Sequence, residues 1–92
     1  MNKNYKYINW KNWDSSLFGK TSKLEKAYFE NVINLLHLKK SAEVLEIGFG
    51  NGSFLNFLKK NNFNCQGIDS NKTLVDIAIK NNFLAYQSID DI

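Results

Sequence analysis

The ten residues Val44-Leu45-Glu46-Ile47-Gly48-Phe49-Gly50-Asn51-Gly52-Ser53 constrain this chain more than any other segment. A short apolar stretch runs into a turn with glycines at 48, 50 and 52, and an amphipathic stretch, 54–60, follows it. Those glycines permit positive φ and let the backbone approach a ligand without Cβ contacts. The helix start behind them offers amide groups without intrahelical partners, a setting for the polar end of a nucleotide-like ligand. Asp69 closes the next apolar run, 21 positions after Gly48. That is about where an acid that accepts hydrogen bonds from ribose hydroxyls belongs. Strand, turn, helix and acid in this order predict a cofactor site at the edge of an open α/β sheet.

The flanking sequence supplies the rest of a β-α-β-α-β unit. Ser22-Lys23-Leu24-Glu25 fits a capping box at a helix start. Leu24, Ala27, Tyr28, Val32, Leu35 and Leu36 then recur at helical spacing, which predicts a helix over 23–38 with those residues inward. Lys39 and Lys40 suit its C-terminal dipole. Strands are expected over 43–47, 64–68 and 83–87, and helices over 53–60 and 72–80. Ser70 or Asn71 caps the second of these helices, and Leu74, Ile77 and Ala78 face inward. Lys60-Asn61-Asn62-Phe63 and Lys80-Asn81-Asn82-Phe83 form a faint repeat. Asn tolerates the left-handed conformation needed past a helix end, so both copies read as the same helix-to-strand joint. Residues 1–21 lack a clean period and read as an irregular aromatic, Lys-rich arm anchored by Trp10, Trp13 and Phe18. Residues 22–92 read as the cofactor-binding domain.

Composition excludes several classes. At 43% hydrophobic and 14% aromatic, the 92 residues suit a small globular domain with a thin core. No run approaches the ~18 apolar residues of a membrane span, and the N-terminus lacks a signal-peptide pattern. A single cysteine, Cys65, forms no internal disulfide and points to a reduced, cytoplasmic setting. Residues 1–40 carry eight Lys against Asp14, Glu25 and Glu30, a net of +5, whereas 41–92 carry a net of −2. Lysines near Tyr5, Tyr7, Trp10 and Trp13 are a weak nucleic-acid signal, because the chain has no Arg for bidentate contacts.

The glycine spacing and the acid before it separate two nucleotide classes. A dinucleotide fingerprint places its third glycine five positions after the first; here that position is Ser53, and the glycine sits at 52. Glu46, two residues before Gly48, repels a pyrophosphate and favours a ligand with a cationic amine. At these residues the chain resembles the class I S-adenosylmethionine-dependent methyltransferases. Their first motif, hydrophobic-hydrophobic-acid-x-Gly-x-Gly-x-Gly, is matched by Val44 to Gly52, and their acid at the end of strand two by Gly67-Ile68-Asp69. The helix before strand one resembles the family's leading helix.

The resemblance implies a Rossmann-like doubly wound parallel sheet, of which 22–92 supply the first three strands in order 3-2-1 behind an N-terminal helix. It implies S-adenosylmethionine as cofactor. Glu46, Gly48, Phe49, Gly50 and Gly52 would hold its methionine end and Asp69 its ribose. Adenine would lie against Ser70 and a loop at Ser88-Ile89-Asp90, with Ser88, Asp90 or Asp91 as the acceptor there. No catalytic residue and no metal ligand is assigned: His37 reads as a helix-end residue and Cys65 as an apolar filler. The family's later strands and acceptor-side motifs are absent from these residues. The chain is therefore expected to be a fragment, a truncated product or half of a split enzyme, inactive alone and prone to self-association or partner binding through an open sheet edge. The acceptor is open; a small molecule or glycan is the expected class. A non-catalytic donor-binding or sheet-completing module is the alternative, followed by an NAD(P)-binding domain.

Overall fold

The structure, a computed structural model, describes residues 17–92. Trp10, Trp13 and the rest of the expected arm up to residue 16 lie outside the described residues. The order of elements is α1 (Lys23–Leu35), β1 (Glu43–Ile47), α2 (Ser53–Lys60), β2 (Asn64–Ile68), α3 (Lys72–Lys80) and β3 (Ala85–Tyr86), followed by a 3-10 turn, Ile89–Asp91. β1 pairs with β2 and β2 with β3, all parallel, giving the order 3-2-1. Glu46 lies beside Gly67, and Gly67 beside Ala85. These positions share one face of the pleat. That face carries the helices: a Cβ on Gly67 would lie 2.5 Å from Phe49 and 2.8 Å from Leu55. The fold is a partial Rossmann-like α/β sheet with its leading helix.

The two crossover helices begin and end as their sequences dictate. Asn71, rather than Ser70, caps α3, its side chain accepting from the Thr73 and Leu74 amides. Beyond α2, Phe63 N–H donates to Leu58 C=O and Asn62 N–H to Lys59 C=O; beyond α3, Phe83 and Asn82 repeat the pattern with Ala78 and Ile79. This is the Schellman arrangement, with Asn62 (φ 64°) and Asn82 (φ 69°) in the left-handed region. The repeated Asn-Asn-Phe is thus one joint used twice. Each joint is also gripped by a lysine. Lys40 donates to Asn61 C=O and lies over Phe63, and Lys59 donates to Asn82 C=O and lies over Phe83.

α1 departs from the expectation in length and in face. It ends at Leu35, and His37 turns the chain at φ 50° with the same bonding pattern, Leu38 N–H to Ile33 C=O. Lys39 and Lys40 therefore lie beyond the helix end. Its capping box forms as read, Ser22 accepting from Glu25 N–H and Glu25 from Ser22 N–H. Leu24, Tyr28, Leu35 and Leu36 are exposed. The inward side is instead marked by Phe29, whose ring lies 4.9 Å from Phe54 and 5.5 Å from Phe57 of α2. α1 is held by this aromatic cluster, and no residue of it is buried.

The core between sheet and helices consists of Phe49, Leu55, Leu74, Val75, Ala78 and Ala85, with Phe18, Cys65 and Phe83 against it. Val75, rather than Ile77, completes the inner face of α3. β3 is shorter than expected, Ala85–Tyr86 alone pairing with β2. β1 has no strand on its outer edge among the described residues, and Ile47 is 75% exposed.

Candidate cofactor-binding site

The carboxyl ends of β1 and β2 meet at one edge of the sheet, and the expected site residues gather there. Gly48 N–H extends the ladder by donating to Ile68 C=O at 2.7 Å, after which the chain turns through Gly48 (φ 75°), Gly50 (φ 59°) and Gly52 (φ 78°). Asp69 ties the two strand ends together. One carboxylate oxygen accepts from Gly50 N–H at 3.1 Å and the other from Asn71 N–H at 2.9 Å. A carboxylate has about four acceptor positions, so Asp69 retains capacity for ligand hydroxyls.

The three glycines have different surroundings. A Cβ on Gly48 would meet nothing within 4 Å, so the space above it is open. A Cβ on Gly52 would lie within 3.0 Å of three atoms of the Phe18 ring. Gly52 is buried beneath that ring, so its bareness admits Phe18 rather than a ligand. Phe49 likewise points its side chain into the core, 4% exposed, leaving only its backbone toward the turn. The start of α2 is partly occupied by the chain itself. Asn51 Oδ1 accepts from Ser53 N–H, and Ser53 O–H lies within bonding distance of Lys20 C=O and Asn51 Oδ1. The turn amides of Gly48, Gly50 and Gly52 donate to Ile68, Asp69 and Phe49. They form no free nest for a pyrophosphate, which counts against a dinucleotide.

Glu46 is the chemically distinctive group. Its Oε1 is buried without a hydrogen-bond partner. Burial, with the nearby Asp69 charge as the lesser cause, pushes its carboxyl up to about 7. An orphaned acceptor costs free energy that a cationic donor placed against it would recover. On the far side of Asp69, Gln87, just after β3, donates to Ser70 C=O at 3.3 Å, and Ser88 Oγ accepts from Asp90 N–H. Ser70 and the Ser88–Asp91 turn are thereby brought to the same edge.

Two other sequence candidates lie elsewhere. His37 sits exposed at the end of α1. Cys65 points at α2, its thiol 3.6 Å from Leu55 C=O; burial raises its pKa, and the opposing influence of Lys59 does not reverse the shift. Among the described residues no group of His, Cys, Asp and Glu could hold a metal ion, and no helix is long and apolar enough to cross a membrane. The sequence marked Phe18 only as an aromatic anchor; its seat on Gly52 was not legible, and Asn51 carried no signal beyond its turn-forming type.

Parallel strands in order 3-2-1 behind a leading helix, with a glycine turn after β1 and an acid after β2, define a partial Rossmann-like α/β domain. The sequence profile of the family described as "Methyltransferase domain" matches residues 21–91. The chain belongs to that family, consistent with the class I methyltransferases. No curated protein matches it.

Proposed function

We propose that this chain is the donor-binding part of an S-adenosylmethionine-dependent methyltransferase. The observation that carries this reading is Glu46 Oε1, buried and unpartnered, beside a turn whose Gly48 opens onto free space. Glu46 would accept from the donor's ammonium, and the backbone of Gly48 to Gly52 would shape the cradle for its methionine end. Asp69, already fixed by two backbone amides, would accept from the ribose hydroxyls. Ser70 and the Ser88–Asp91 turn would flank the adenine. When bound, the donor supplies an electrophilic methyl on sulfonium; this chain's residues bind and orient it, and none is assigned to the acceptor. A small molecule or glycan remains the proposed acceptor class, and a reducing, cytoplasmic setting suits the free thiol of Cys65.

Asp69→Ala is expected to weaken S-adenosylmethionine binding by about 1–3 kcal/mol, because it removes the ribose acceptor and frees the Gly50 amide. Calorimetric titration of the wild type and variant checks this, with thermal melting to confirm that both are folded. Unchanged affinity would refute the assignment.

The outer edge of β1, unpaired among the described residues, favours a second reading, a module that completes its sheet with another polypeptide. The 92-residue chain alone is then expected to self-associate or to co-purify with a partner. A monomeric, cooperative unfolding transition in dilute solution would sink this reading.

A further inference from the structure

A second cleft shares none of Glu46, Gly48, Gly50 or Asp69 with the site above. It lies where the 17–21 segment, the first turn of α1 and the outer flank of α2 meet, and encloses about 520 Å³. Lys20, Lys26 and Lys60 line it, one from each of these elements, together with Thr21, Asn56 and Phe57. None of the three lysines is in an ion pair among the described residues, where the one salt bridge joins Lys72 to Asp76. The nearest acid in sequence, Glu25, is turned back onto Ser22 N–H in the capping box. The cleft has a rigid frame. Asn56 Nδ2 holds Gly19 C=O at 3.0 Å, Gly19 N–H holds Asn51 C=O at 2.7 Å, and Thr21 O–H bonds Gly19 C=O at 3.1 Å.

We propose that this cleft binds a small phosphorylated molecule, independently of the methyl donor. Three lysines from separate elements line the cleft without an ion pair among the described residues, and lysine is a point-charge partner suited to a phosphate dianion. The volume lies in the ~300–1,000 Å³ range of small-molecule sites. Phe57 supplies an apolar wall against the body of the ligand. A nucleic-acid strand is disfavoured, since the three lysines line one cleft rather than a long stripe.

The test is a titration of the uniformly ¹⁵N-labelled full chain with pyrophosphate, followed by amide chemical shifts. Saturable shifts are expected at Gly19, Lys20, Thr21 and Asn56, with Gly48 and Gly50 unmoved. Lys26→Ala and Lys60→Ala should each weaken binding about five- to tenfold, and Lys39→Ala, outside the cleft, should leave it unchanged. Absence of saturable shifts, or equal weakening by Lys39→Ala, would overturn the proposal. So would shifts at Gly48 and Gly50 in place of the cleft amides. A single-stranded oligonucleotide that binds more tightly than pyrophosphate and shifts amides beyond the cleft would replace the small molecule with nucleic acid. Titration with S-adenosylmethionine, read at Gly48 and Gly50, reports on the donor site separately, so either reading can fail without the other.

Discussion

Gly52→Ala is expected to destabilise the fold by about 2–4 kcal/mol, whereas Gly48→Ala should cost only about 1–2 kcal/mol and act mainly on donor binding. Both glycines have positive φ, 78° and 75°, so an alanine at either carries the left-handed penalty. The difference lies in what the new methyl meets. At position 52 it enters the Phe18 ring, which is also packed edge-on against Phe49 at 6.3 Å and Phe83 at 5.4 Å. Moving that ring disturbs the core and the 17–21 segment that covers the start of α2. At position 48 the methyl enters open space, the space proposed for the donor. Chemical denaturation and donor titration on both variants separate the effects. If Gly52→Ala proved as stable as Gly48→Ala, the packing role of Gly52 would be wrong. If Gly48→Ala bound the donor like the wild type, the open face above it would not be the donor's.

Local signals set the parts of the fold that sequence could reach. β1, α2, β2 and α3 begin and end where their own residues dictate: glycines after β1, Asn-Asn-Phe after α2 and α3, and Asn71 before α3. For the stops of α2 and α3 and the start of α3 the enforcing hydrogen bond is to a residue at most five positions away, whereas the turn after β1 is also tied across the sheet to Ile68 and Asp69. α1 shows the limit. Its apolar residues fit two overlapping helical stripes, one through Leu24 and Tyr28 and one through Phe29 and Val32. Which stripe turns inward depends on Phe54 and Phe57, some 25 residues along the chain. No periodicity within α1 carries that choice.

The candidate site divides along the same line. Motif spacing placed Glu46, Gly48, Gly50 and Asp69 at one edge, and the parallel pairing of β1 with β2 does bring them together. Spacing could not distinguish the glycines, because their roles depend on what covers each one. Phe18 arrives over Gly52 from 34 residues upstream, and Phe49 turns its side chain beneath the sheet to fill the groove left by Gly67. Nor could it show that Asp69 is a structural tie as well as a proposed ribose acceptor. That role needs the Gly50 amide to face it, which follows only once β1 and β2 are in register.

Donor binding is expected to strengthen as pH rises from about 5 to about 8, with release of a proton near neutrality, and Glu46→Gln should abolish both effects. In the unliganded fold the Glu46 carboxyl is pushed up from 4.5 to about 7, first by burial and second by Asp69. The folded chain therefore holds a proton on Glu46 that the unfolded chain releases at lower pH. The stability due to that proton is fully present below pH 4.5 and is lost as pH rises through about 7. The loss is roughly 2 kcal/mol once the solvent still reaching this carboxyl is allowed for. An ammonium placed at Oε1 favours the ionised form, so binding draws the pKa back down and expels the proton. Glu46→Gln is neutral at every pH. It should raise folding stability at pH 8 by about 1–2 kcal/mol while weakening donor binding by about 1.5–3 kcal/mol, the value of a hydrogen bond to a charged group. Calorimetry in buffers of different ionisation enthalpy counts the proton, and denaturant melts at pH 5 and pH 8 follow the stability. A wild-type affinity that stays flat across this range, or a Glu46→Gln variant that binds the donor as tightly as the wild type, would remove Glu46 from the site. Opposite signs for stability and binding in one variant would instead mark Glu46 as a charge held at a folding cost for its ligand.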